Sequence, residues 1–347
     1  MDPGSRIKML WPRPDRPTRS GGPTDRLHPP PWPFRTYRQH LAERFPGRHL
    51  RKLCIDAGFT CPNLDGTVAR GGCGYCNNRA FAPSIGLGEL RGQWDRGRIW
   101  LRRRHRRVDG FIAYFQAFSN THAPAERLRE LYAPLPQALD ECHGVSIGTR
   151  PDCLGEEAVA ICADLARRTF LTVEIGLQSD CDAVLRRINR GHDLACFLDA
   201  IQRCAGRGFE LCVHLMLGLP GEGVDAPERM GRLVASLPVH SVKMHNLHFV
   251  RGTPWGRAFA AGHMTELTCP DYLDRLVRFL SCLRADQSVQ RIVGDAPAHL
   301  LLSGSWCRDK QMVLRRLAAL AATRSRFGLQ EAIATTETDA ASLGSRR

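Results

Sequence analysis

Six runs of apolar and β-branched residues recur along the chain, near residues 51–58, 110–118, 143–149, 169–177, 209–217 and 239–249. Between them lie stretches whose apolar positions return at helical spacing, near 89–107, 124–141, 155–168, 193–207 and 226–236. Strands joined by crossover helices run parallel, because each crossover brings the chain back to the same edge. An all-parallel sheet needs both faces covered, which a barrel and an open doubly wound sheet both achieve, and the pattern alone leaves the two open.

After about residue 250 the period changes. A helical stretch near 267–286, a short run at 289–293 and a helix near 308–320 predict a C-terminal extension over 251–320, placed to close the open side of a partial barrel. The core domain is expected over 35–250. Residues 1–34, with Pro29, Pro30 and Pro31 and few apolar positions, predict a disordered basic leader, and residues 321–347 a disordered tail.

Charge changes the picture because it is uneven. The net charge of +14 is concentrated in two places: residues 1–49 hold ten Lys/Arg against four Asp/Glu, and residues 91–107 hold eight arginines against Asp95. The span 108–347 balances at 27 against 27. Such basic stretches draw polyanions by counterion release, nucleic acid above all, although a solvated basic helix and tail explain them equally well. No uninterrupted apolar run is long enough to span a bilayer. The first 34 residues lack a signal-type apolar core and carry Asp2, Asp15 and Asp25, so a cytoplasmic location without membrane contact is expected.

The chain has 14 cysteines, scattered rather than framed as disulfides. Cys54, Cys142, Cys162, Cys181, Cys204, Cys212, Cys269 and Cys282 read as small core hydrophobes. Cys61, Cys73 and Cys76 differ. They stand at C-x11-C-x2-C spacing in a loop over 59–82 that follows the first strand and holds glycines at 66, 71, 72 and 74. A structural zinc ion is closed by four protein ligands, whereas an iron-sulfur cluster on three thiolates keeps one iron open for a further ligand. A zinc reading needs Cys54 or a distant histidine as fourth ligand, and the ligand count favours the cluster.

The loop resembles that of the radical S-adenosylmethionine (AdoMet) enzymes, and within them the YhcC-type proteins. The likeness continues through residues 111–117, 146–153 (SIGTRPDC), 174–179 (EIGLQS), 189–192 (NRGH), 217–222 (LGLPGE), 243–248 (KMHNLH) and 251–254 (RGTP). The TRPD, ExGxQS and RGH elements are also similar to the radical AdoMet domain of the Elongator catalytic subunit, a transfer-RNA modifying protein. The resemblance implies an α/β fold, a partial (β/α)6 barrel, with reactive groups at the C-terminal ends of its strands. It also implies a 4Fe-4S cluster, AdoMet, an external low-potential electron donor and a 5′-deoxyadenosyl radical.

The same resemblance assigns residues. Cys61, Cys73 and Cys76 hold the cluster. Gln116, Ser119 and Asn120 meet the methionine end of AdoMet, unless they merely cap the strand. Arg150 pairs with the AdoMet carboxylate, a substrate phosphate or a plain salt-bridge partner. Glu174 and Gln178 share one strand face and are expected at the ribose or elsewhere on AdoMet. The glycines of 217–222 suit an adenine platform or a generic turn. Of His245 and His248, three apart and thus on opposite strand faces, at most one is expected to point inward, to orient substrate or shuttle a proton. Cys153 and Cys307 are candidate hydrogen-atom donors. Transfer RNA is the leading substrate expectation. A small metabolite, peptide or tetrapyrrole is the alternative with the same chemistry, and a non-catalytic zinc-dependent RNA-binding module the alternative without it.

Overall fold

The computed structural model describes residues 34–77 and 88–323. Its strands are β1 (Arg35–Thr36), β2 (Leu50–Ile55), β3 (Gly110–Phe115), β4 (Cys142–Thr149), β5 (Phe170–Gln178), β6 (Glu210–Leu217), β7 (Ser241–Asn246) and β8 (Ser288–Arg291). All pair in parallel as one curled sheet in the order β1-β8-β7-β6-β5-β4-β3-β2, a half-barrel. The six expected strands are β2 to β7. The curl decides between the two architectures the pattern left open. Two strands escape the sequence reading: β1 has two residues, and β8, inside the predicted extension, pairs with β7 and continues the sheet. Most of the predicted leader, the tail from residue 324 and the end of the cysteine loop, 78–82, lie outside the described residues.

Helices are α1 (Tyr37–Arg44), α2 (Pro62–Asp65), α3 (Leu90–Arg104), α4 (Ala125–Tyr132), α5 (Glu156–Ala166), α6 (Asp182–Arg187), α7 (Leu194–Cys204), α8 (Ala226–Ser236), α9 (Pro254–Ala260), α10 (Cys269–Leu280) and α11, residues 310–323. Every residue of β5 is buried, yet its two faces differ. Leu171, Val173, Ile175 and Leu177 join the main apolar core, while Thr172, Glu174, Gly176 and Gln178 occupy the other face. This alternation follows from the two-residue period of a strand, and burial on both faces explains why the run reads as nearly all apolar. On α10 a Thr268 cap and a proline at the first turn start the helix, and Leu273, Leu276, Val277 and Leu280 supply its buried stripe. No described helix is long and apolar enough to cross a membrane.

Candidate active site

The C-terminal ends of the strands open into a cavity of about 640 Å³. Cys61, Cys73 and Cys76 form one wall; Gln116, Ser119, Arg150 and Gln178 line it from β3, β4 and β5; His214, Lys243, His245 and Arg291 come from β6, β7 and β8. The cysteine loop and the ends of six strands therefore face one chamber.

The cysteine wall is built by docking. Cys61 precedes α2, which begins on Pro62 and ends at Gly66 in the left-handed region (φ 90°). Asn63 Nδ2 donates to the carbonyls of Asn189 (2.5 Å) and Arg190 (2.9 Å), and Asn189 Nδ2 returns to those of Arg70 (3.2 Å) and Gly72 (2.8 Å). The Gly74 N–H donates to Ile188 O at 3.0 Å. Gly191 (φ +77°) is forced as well, since a Cβ there would stand 2.4 Å from Asn63 Oδ1. The NRGH segment is thus the seat of the cysteine loop.

Buried Arg190 completes it. Its Nη1 and the Asn63 amide point at Cys73 Sγ from 3.7 and 3.6 Å, and its Nη2 donates to Gly176 O at 2.5 Å. Burial pulls the guanidinium down, but Cys73 and its neighbours more than restore it, so it stays charged. For Cys76, burial and the proximity of Cys73 and Cys61 push the thiol well up.

The spacing of the three sulfurs bears on which metal group they could hold. Zinc ligands about 2.3 Å from the ion sit under 4 Å apart. Among the described residues the only His/Cys/Asp/Glu trio whose donor atoms lie within 4.8 Å of one another is Glu174, Cys212 and His214. Cys61, Cys73 and Cys76 do not form such a trio, and their wider spacing, with two donors aimed at the Cys73 sulfur, suits a multi-iron cluster better than one zinc ion.

On the opposite wall, Arg150 Nε and Nη2 are held by Asp152 at 2.9 and 2.7 Å, which leaves its buried Nη1 without a protein partner. Arg150 thus forms a salt bridge and still has a buried nitrogen facing no protein acceptor. Gln116 Oε1 accepts from Cys54 Sγ at 3.2 Å, and Cys54 is not part of the cysteine wall. Gln178 adopts φ 81° at a bulge between β5 and β6, a conformation costly for a non-glycine residue and often found at ligand sites.

Several expectations change. Asn120 does not line the cavity: its amide donates to the carbonyls of Phe115, Ala117 and Gly148, so it clamps the ends of β3 and β4. Glu174 faces the barrel interior below the cavity, and the chain satisfies it without a ribose. Lys52 and Ser146 bond Oε1; Tyr114 (2.9 Å), His214 (2.7 Å) and Lys243 (2.8 Å) bond Oε2. The 217–222 segment closes on itself through Glu222, which accepts from Gly218 N at 2.8 Å, and stays off the cavity wall. Cys153 and Cys307 are buried behind the wall. His245 and His248 both line the cavity, because β7 ends at Asn246 and strand alternation does not extend to His248. The sequence reading missed Lys52, His214, Lys243, Arg190 and Arg291. Polar residues inside strands were the available signal for Lys52, His214, Lys243 and Arg291, whereas Arg190 lies in the loop after α6.

A half-barrel that presents three spaced thiols at its strand ends defines a cluster-dependent class, and the comparisons agree. The profile of the radical SAM superfamily matches residues 66–234, and that of the Radical SAM C-terminal domain residues 239–320. YtqA of Bacillus subtilis is 38% identical over 288 residues, covering 81% of this chain and 87% of its own length. YhcC of Escherichia coli K12 is 33% identical over 274 residues, covering 78% and 86%. The archaeal Methanocaldococcus infernus Elp3 structure superposes with TM-score 0.59 at 16% identity over 80% of this chain and 63% of that one, a likeness of fold. The chain belongs to the radical SAM superfamily, whose enzymes use a 4Fe-4S cluster and S-adenosyl-L-methionine.

Proposed function

We propose that this enzyme cleaves S-adenosyl-L-methionine reductively, with an electron from an external low-potential donor, and abstracts hydrogen from carbon in a transfer-RNA substrate. The observation that carries the reaction is the single cavity shared by Cys61, Cys73 and Cys76 on one wall and Gln116, Ser119, Arg150 and Gln178 on the other. Bound there, cluster and AdoMet supply a 5′-deoxyadenosyl radical. The chain positions them: Arg190 and Asn63 steady the Cys73 sulfur, and the spare Arg150 N–H suits a carboxylate.

Transfer RNA is supported by the similarity of the TRPD, ExGxQS and RGH elements to the Elongator radical AdoMet domain and by the arginines of α3 and the turn after it. The structure divides those arginines. Arg91, Arg98, Arg102 and Arg107 pair with Asp95, Asp140, Glu141 or Asp109. Arg104 stacks on exposed Trp100 beside Arg103. Compensation of half the arginines favours a second reading, a small metabolite as substrate.

Anaerobic reconstitution is expected to give iron and sulfide near about four per chain, with 5′-deoxyadenosine on reduction. Cys73→Ser should lose both and Cys54→Ser neither. Zinc without sulfide would overturn the reaction. Filter binding of total tRNA should weaken steeply with salt, and flat, weak binding would transfer the substrate to the small-molecule reading.

A further inference from the structure

The cavity floor carries a cationic row set by strand register. His214 of β6 is the partner of Lys243 on β7, and Lys243 is the partner of Arg291 on β8. Residues level with one another on parallel neighbours face the same way, and all three line the cavity. His245 stands two residues above Lys243 on the same strand face.

Charge does not balance here. Lys52, Lys243 and Arg291 are answered by one carboxylate, Glu174, which both lysines already engage. Asp295, the one acidic side chain among the described residues of the cavity lining, pairs with Lys310 at 3.0 Å. Among the described residues Arg291 has no carboxylate within ion-pair distance. Its side chain nevertheless lines the cavity together with Lys243, His214 and His245. Burial and these cations keep His214 and His245 neutral, so they add no charge but offer ring nitrogens to a ligand. The other cationic side chains at the mouth, Arg150 and Arg190, are matched by Asp152 and the Cys73 sulfur.

Unmatched charge in a half-buried chamber is costly, and a ligand anion removes the cost. AdoMet does not supply it, because its sulfonium and ammonium outweigh its one carboxylate. We propose that the floor receives an anionic group of the substrate, a phosphate or a carboxylate, with Arg291 as its main ligand and Lys243 as the second. The guanidinium fork matches either group bidentately, whereas Lys243 contributes a point charge already oriented by Tyr114 Oη at 2.6 Å. The inference rests on this cavity being the reaction chamber and adds a requirement on what enters it.

The test uses the full chain carrying its cluster and AdoMet, titrated with inorganic phosphate and separately with malonate, with the thermal midpoint as readout. A saturable rise is expected for at least one anion, and the tighter of the two identifies the group as phosphoryl or carboxylate. R291Q should weaken that affinity by about tenfold or more, the loss of a charge-assisted contact. R291K, which keeps charge without the fork, should fall between, and it carries the test if R291Q does not fold. No saturable response in the parent protein, or parent-like affinity in R291Q or R291K, overturns the proposal. Iron content and deoxyadenosine release are read on the same samples, so a failure of the radical reaction is distinguishable from a failure of the anion floor.

Discussion

Arg190 Nη1 lies 3.7 Å from Cys73 Sγ, while Nη2 of the same guanidinium holds the Gly176 carbonyl at 2.5 Å. One buried side chain thus joins the cysteine wall to β5 and directs positive charge at the Cys73 sulfur. Arg190→Gln should lower cluster retention or turnover by roughly 10- to 100-fold, the usual cost of losing a partner that orients a metal ligand. It should also shift the cluster midpoint to more negative potential, since a cationic donor to sulfur favours the reduced state. Iron analysis and a redox titration check both, and an unchanged midpoint would reduce Arg190 to a loop anchor.

Gly74, between two of the cysteines, packs under an indole. A Cβ there would stand 2.4 Å from Trp255 Nε1, and neither side yields easily, because Trp255 N donates to Gly74 O at 3.0 Å and Gly74 N to Ile188 O. Gly74→Ala should cost about 1–3 kcal/mol of stability as overpacking. Denaturant unfolding measures the loss, and iron retention should fall with it.

Glu174 is the counter-charge of the barrel interior. Burial alone would raise its pKa, but Lys243, Lys52 and His214 hold it well below the usual carboxylate range. Glu174→Gln leaves two buried ammonium groups without it and should destabilise by about 3–5 kcal/mol in urea unfolding.

The same cluster sets an acid limit. Burial and Lys243 bring His214 down to about 4, despite its bond to Glu174, with Arg291 adding to the effect and His245 alongside. An unfolded histidine titrates near 6.5, so between about pH 6.5 and 4 the unfolded chain binds the extra proton and stability falls as pH falls. Glu174, whose folded pKa is depressed, extends the loss below pH 4. His214→Gln should flatten the upper part of the stability-pH curve by up to roughly 3 kcal/mol. An unchanged slope there would show that other groups set it.

The arginines of α3 and the turn after it should separate by their partners. Arg103→Gln, Arg104→Gln and Arg106→Gln should each reduce tRNA affinity and lower the log-log salt slope by about one per phosphate contact removed. Arg91→Gln and Arg98→Gln, whose cations already face carboxylates, should change the slope less.

Local chemistry wrote much of this protein into its sequence. Nearly continuous apolar and β-branched runs marked β2 to β7, because strands buried on both faces can hold few polar residues. The three cysteines stood out because the proposed cluster would constrain residue type and number more tightly than any fold does. Tertiary structure decided the rest. Whether the sheet curls, and where the four residues of β8 pair, depends on long-range packing that no local window contains. Asn120 and Glu174 show the same limit: the sequence indicates that a polar group must be satisfied, but only folding determines whether backbone carbonyls, lysines or a ligand satisfy it. The row of His214, Lys243 and Arg291 comes from three strands far apart in the chain, and parallel register alone makes it a single surface.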